Sequence, residues 1–251
     1  VHGGPTDKPN RVAISLPIPQ TATQRFSMSL FSGVALAPRD PILGLNEQFA
    51  ADPNPAKVNL GVGVYFDADG KLPLLRCVVE AEAQMQAAPK PRGYLPIDGI
   101  AAYDKAVQGL VFGADSAAVA AGRIATVQAL GGTGGLKIGA DFLRGLDPKA
   151  RVLISDPSWE NHRALFTNAG FEVSTYPYYD KAAHGVNADA MLRALATAAP
   201  GTIVVLHACC HNPTGYDLTP AQWTKVIEIV KARELVPFLD IAYQGFAEGI
   251  D

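Results

Sequence analysis

Two histidines and two cysteines fall inside the five-residue run His207–His211, within "LHACCHNPTGYD". Those side chains are the usual ligands of zinc, and a structural zinc needs four of them converging on one tetrahedron. An extended segment alternates its faces, so His207, Cys209 and His211 would point one way and Cys210 the other. Structural zinc sites also draw ligand pairs from two separate knuckles, and the sequence offers no second pair. No metal site is expected here, and both thiols read as packing, since free cysteine is among the most buried residue types.

Other stretches hold different chemistry. "ALGGTGGLK", Ala129–Lys137, puts a glycine-rich turn before a helix. Backbone N–H groups at a helix start form a phosphate cradle. The nucleotide motifs fail, however. A P-loop needs Gly and Ser/Thr where Leu136 and Ile138 stand, and the dinucleotide pattern counted from Gly132 and Gly134 ends on Lys137. "LDIAYQGF" places Asp240 at the end of an apolar strand and Tyr243 in the loop that follows. A carboxylate there is costly to bury unless it is paired. "SDPSWENH" adds Trp159, and "HNPTG" adds Asn212. Taken singly, each has a structural explanation: a tight turn, a cap, a packed ring. Taken together they supply a phosphate cradle, a stacking ring, an amide, an acid and a phenol. That set suits a phosphorylated aromatic cofactor.

Elements must bring these residues together. From Arg123 onward, strand-like and helix-like segments alternate: "RIATVQAL", "TGGLKIGADFLRG", "RVLISD", "ENHRALFTNAG", "FEVSTYP", "NADAMLRALATAA", "TIVVLH", "TPAQWTKVIEIVKARE" and "VPFLDIA". Asn187 is placed as an N-cap, and Thr219, Pro220 and Gln222 spell a capping box. The alternation predicts an α/β fold, a mostly parallel sheet with helices on both faces. In such sheets ligands bind outside the carboxyl ends of the strands, where Gly132, Trp159, Asn212 and Asp240 all fall. "PLLRCVVEAEAQMQAA" and "DGIAAYDKAVQGLVFG" read as amphipathic helices, and "VNLGVGVYFDADGK" as a strand and turn. We expect an irregular extension over residues 1–28, the N-terminal part of a smaller domain over 29–72, and a large domain over 73–251. The chain stops at Asp251 in mid-pattern, so the reading expects a fragment whose C-terminal portion is missing.

Composition narrows the class. The net charge is −3 over 251 residues, with no basic stripe of the kind nucleic acid demands. No apolar run approaches a membrane span. Three cysteines are too few for a disulfide framework, which points to a reducing, cytoplasmic setting.

In order and at the right intervals, "VNLGVGVY", "GYLPIDG", "LGGTGGLKIGADFL", "DPSWENH", "CCHNPTG" and "LDIAYQGF" resemble the aspartate and aromatic amino-acid aminotransferases. These are fold type I enzymes dependent on pyridoxal phosphate. The resemblance covers about Ser29 to Asp251 and is nearer the bacterial aromatic (tyrosine) branch. It implies transfer of an amino group between an aromatic amino acid or aspartate and 2-oxoglutarate, by a homodimer with shared active sites. By resemblance, Gly132 and Thr133 bind the cofactor phosphate and Trp159 stacks on its ring. Asn212 and Tyr243 bond the phenolic oxygen. Asp240 pairs with the ring nitrogen, supported by His162. Gly63 lines the substrate carboxylate's side, with Trp159 and Asn212 also near the substrate. Tyr94 reaches the partner subunit's phosphate. The bonds Asp156–Pro157 and Asn212–Pro213 match cis bonds of relatives. The lysine that tethers the cofactor lies, in relatives, beyond the last motif of this chain. The alternative reading is an α/β domain that binds another phosphorylated ligand without transaminase chemistry.

Overall fold

The computed structural model describes residues 29, 31–35, 41–59 and 63–250. The expected extension over 1–28 lies outside these residues, as does the centre of "VNLGVGVY". The chain divides into two compact units, after Lys90. The first holds α1 (Pro41–Ala51) and α2 (Arg76–Ala87). Between them the expected turn is present: Asp67 accepts the amides of Asp69 and Lys71 on its carboxylate, and Gly70 takes φ +71. No strand forms in the described part of 58–71.

The second unit runs α3 (Ala101–Phe112), α4 (Ala117–Ala120), α5 (Gly131–Leu146), β1 (Arg151–Asp156), α6 (Glu160–Asn168) and β2 (Glu172–Pro177). A short ribbon follows, β3 (Tyr179–Asp180) with β4 (Gly185–Val186), then α7 (Ala188–Thr197), β5 (Ile203–His207), α8 (Pro220–Ala232) and β6 (Val236–Asp240). Four strands form one sheet in the order β2-β1-β5-β6, every pair parallel.

The side-chain alternation of β5 builds both faces of that sheet. Ile203 and Val205 join Val152, Ile154, Ala140, Phe166 and Phe171 on one face, so α5 and α6 cover it. Val204 and Leu206 join Met191, Leu195 and Val226 on the other, covered by α7 and α8. Each such side chain fully withdrawn from water contributes about 1.5–3 kcal/mol. The chain steps from β1 outward to β2, then returns across β1 to β5 and on to β6. Right-handed crossovers running in opposite directions put their helices on opposite faces. The reversal between β1 and β5 opens a crevice at their carboxyl ends.

Two expectations need correction. "RIATVQAL" is extended, yet Arg123–Leu130 joins no ladder among the described residues. Its backbone bonds elsewhere, with the Gln128 amide donating to the Asp98 carbonyl at 2.9 Å. A β-branched run is a strand only where a partner edge is available. The glycine-rich stretch is also less of a loop than expected. Only Gly131 takes a left-handed φ, +66, and Gly132–Gly135 already form the first turn of α5. The caps of α7 and α8 fall on Asn187 and on the Thr219/Gln222 box, as the sequence predicts.

Candidate active site

Parallel strands end on the same side, so their exits share one rim. After β1 come Pro157, Ser158 and Trp159, which leads into α6. After β5 come Cys209, Cys210 and Asn212. At the end of β6, Asp240 stands in register with His207 of β5. These exits and the start of α5 enclose a cleft of about 160 Å³. Five expected residues line it: Gly132, Trp159, Asn212, Asp240 and Tyr243.

Asp240 is fixed from behind. Its Oδ2 lies 2.7 Å from Nε2 of His162, a ring with no solvent exposure. A carboxylate only accepts, so Nε2 carries the proton. With neutral rings, one arrangement satisfies the whole chain beyond it. Ser158 Oγ donates to His162 Nδ1 at 2.9 Å and accepts from His207 Nε2 at 3.4 Å. His207 Nδ1 then accepts the Asn212 amide at 3.4 Å. Burial, and then the neighbouring His162, hold His207 down at about 4, so it is neutral near pH 7. No partner for Asp240 Oδ1 occurs among the described residues, and this oxygen remains available to a ligand.

His211 is a structural pillar. It is 1% exposed and bonded at both nitrogens, by Ser155 and Thr214 at 2.9 Å each. Its ring stacks on Tyr178 with centroids 4.0 Å apart. Burial first, then His207, depress its pKa to about 3. Burial likewise raises Tyr178 above the ordinary phenol range, with Asp217 adding to the effect.

Opposite Asp240, α5 begins without a side-chain cap and without an acid in its first turn. Its first amides have no partner inside the helix, and they carry the positive end of the helix dipole. The cleft therefore offers anion-seeking N–H groups at one end and a carboxylate oxygen at the other, with the Trp159 ring on its wall. It fits a flat molecule with an anionic group and a proton-bearing nitrogen. Pyridoxal phosphate has that distribution of groups.

The sequence matches the family described as aminotransferase class I and II over residues 55–251. This chain belongs to that family. An aspartate aminotransferase of Pseudomonas aeruginosa is 62% identical over 224 residues, which are 89% of this chain and 56% of the relative. A tyrosine aminotransferase of Klebsiella pneumoniae is 52% identical, over 88% of this chain and 56% of its own length. The aromatic-amino-acid aminotransferase of Burkholderia pseudomallei, solved covalently bound to pyridoxal phosphate, superimposes with a TM-score of 0.86 at 72% identity. That match covers 89% of this chain and 56% of the other. The chain thus spans about half the length of the aminotransferases it matches.

Some expected residues stand apart from the cleft. Thr133 follows Gly132 in α5 but is not among the lining residues. Tyr94 is fully exposed and also does not line it. Gly63 belongs to the other compact unit. Both expected X–Pro bonds are cis.

The expected facing of the Cys-His run fails. The chain leaves β5 at His207 and bends, so strand alternation stops there. Cys210 takes φ +50, and Cys209, Cys210 and His207 all line the cleft while His211 is buried. Among the described residues no group of three or more potential ligands is placed to hold a metal. His207 and Ser158 were missed as parts of the site. The available signal is position: Ser158 immediately precedes the expected Trp159, and His207 ends the strand whose exit carries Asn212.

Proposed function

We propose that the protein is a pyridoxal-phosphate-dependent aminotransferase acting between aromatic amino acids or aspartate and 2-oxoglutarate. The observation that carries this reading is Asp240, held on one oxygen by buried His162, its other oxygen without a partner among the described residues, in a cleft bounded by Trp159 and the start of α5. When bound, the cofactor supplies the electron sink that stabilises negative charge at the substrate's Cα.

The residues of this chain then have separate tasks. Gly132 and Thr133 direct N–H groups at the phosphate from the uncapped helix start. Trp159 covers one face of the pyridine ring. Asp240 holds a proton on the ring nitrogen, because an adjacent carboxylate favours the charged form. His162 keeps that carboxylate in place. Asn212 and Tyr243 donate to the phenolic oxygen. Gly63 lies on the substrate carboxylate's side, and Tyr94 serves a second subunit's phosphate in a homodimer with shared sites. The division into an extension over 1–28, part of a small domain over 29–72 and a large domain over 73–251 belongs to the same reading. So does a cytoplasmic setting, supported by three free cysteines; no helix among the described residues is long and apolar enough to cross a membrane.

The test is a half-reaction on the full-length protein loaded with cofactor. Tyrosine, phenylalanine, aspartate and glutamate are added one at a time, and the visible absorption band is followed. A shift with at least one of them is expected. No shift with any of the four overturns the reading.

A further inference from the structure

Cys209 and Cys210 have no task in the reading above, yet they share the wall of the cleft. Neighbouring side chains on an extended backbone diverge. Here they do not, because Cys210 takes φ +50. That conformation is unfavourable for a residue other than glycine. Asp217 offsets it. Its two carboxylate oxygens accept the amides of Cys210 and His211, at 2.7 and 2.8 Å. The bend is therefore built and held. Both thiols are free and half-buried, and the Cys210 Sγ lies 3.9 Å from the Tyr243 carbonyl. Adjacent in sequence, the two residues line the same cleft.

We infer that Cys209 and Cys210 form a vicinal dithiol site for thiophilic trivalent centres, specifically mono-organic arsenic(III) compounds. The number of ligands selects this class. Zinc requires about four ligands, and no third or fourth donor converges here among the described residues. A mono-organic arsenic(III) centre already carries one carbon substituent and needs two sulfurs. Soft thiolate ligands suit such centres. The step balances without redox change: an aryl-As(OH)₂ and two thiols give an aryl-As(S)₂ bridge and two waters. Two As–S bonds form, two As–O bonds break, and each thiol proton leaves in a water. Burial, then the adjacent Cys210, push the Cys209 thiol above its ordinary value, which disfavours reagents that require thiolate. Closing a ring on two thiols of adjacent residues, held on one cleft wall by a fixed bend, loses little freedom, and this is what distinguishes the pair from two independent cysteines.

The probe is phenylarsine oxide, applied to the reduced, folded full-length protein. Excess mercaptoethanol is then added, which strips arsenic from single thiols, and later dimercaptopropanol, which strips it from pairs. Intact mass and peptide mapping follow each step. The expected result is one phenylarsenic group per chain, less two hydrogens, mapped to the peptide carrying Cys209 and Cys210. It should survive the monothiol and be removed by the dithiol. Cys209→Ser and Cys210→Ser should each abolish the monothiol-resistant mass gain, and Cys77→Ser should retain it. An adduct that maps to other cysteines, that the monothiol removes, or that persists in Cys210→Ser overturns the inference. So does the absence of any adduct on the native protein. The native mapping decides the matter even if a serine variant fails to fold.

Discussion

Asp240 and His162 are 2.7 Å apart, one facing a cleft and the other sealed from water. That asymmetry makes the pair a device for aiming a carboxylate. If it acts on a ring nitrogen whose charge matters most in the transition state, its loss must appear in kcat rather than in cofactor affinity. A shift of 1–3 pKa units at the nitrogen corresponds to a loss of roughly 10- to 1,000-fold. We expect Asp240→Ala in the full-length enzyme to show a kcat loss in that range and a much smaller change in cofactor dissociation constant. Equal losses in both would remove the role. The histidines behind it give a second prediction. His207 and His211 are held at about 4 and about 3 by burial, below an unfolded value near 6.5. The unfolded chain therefore binds protons first, so the stability these rings contribute is fully present above about pH 6.5. It is lost as pH falls through the window down to about 4 for His207 and about 3 for His211. Unfolding near pH 5 should take up about two protons through this pair. Denaturant midpoints measured across pH 4–7 in wild type and in a His211→Gln variant would check it. An unchanged slope in the variant would exclude His211 as a source. Asp240, Asn212 and Trp159 are legible from the sequence because each stands at or shortly after the carboxyl end of a strand. His207 is not, because its partners, Ser158 at 49 residues' separation and His162 on another element, are joined only by the fold.

At the scale of elements, local rules and tertiary context divided the work. The α8 start was readable because Thr219 and Gln222 satisfy each other's backbone within four residues. The α7 cap at Asn187 was readable for the same reason. The extended run Arg123–Leu130 was misread because strand formation needs a partner that no local pattern supplies. Helix α1 is not expected from the sequence, where residues 29–72 read as mixed. One helix–sheet contact carries a prediction. A Cβ on Gly139 in α5 would lie 2.8 Å from the Phe238 ring of β6. That ring is itself packed edge-on against Phe166, with centroids 5.2 Å apart. Alanine normally favours a helix over glycine by about 1 kcal/mol, while overpacking costs about 1–3 kcal/mol. The ring cannot swing aside without losing Phe166, so the clash should win. Gly139→Ala is expected to lower the thermal midpoint, and because Phe238 lies two residues before Asp240, to weaken activity as well. A midpoint equal to or above wild type would show that β6 yields at little cost.

At the scale of the whole molecule, the chain spans 56% of the length of the Pseudomonas aeruginosa relative. Its compact unit from Pro91 onward carries an organised cleft and also leaves large apolar side chains exposed. Tyr94 and Ile97 are fully exposed, and Leu130 is 95% exposed. The sequence could assign Tyr94 to a second subunit only by resemblance, since nothing in its local pattern says where a phenol points. A hybrid experiment separates the two possibilities. Under the proposed function, in which a full-length homodimer shares its sites, Tyr94→Ala and Asp240→Ala homodimers should both be impaired. If Tyr94 serves its own subunit's site, a mixed dimer has one site lacking the phenol and one lacking the carboxylate, and mixing restores nothing. If Tyr94 serves the partner's site, the Asp240→Ala subunit lends an intact Tyr94 to the subunit whose Asp240 is intact. One complete site then forms, and the other carries both defects. We therefore expect activity to recover when the two inactive variants are unfolded together and refolded, and not when each is refolded alone. Recovery should appear in kcat with the KM of the wild-type site, because the rebuilt site is chemically whole. No recovery, with mixed dimers verified by mass, would place Tyr94 outside the shared site.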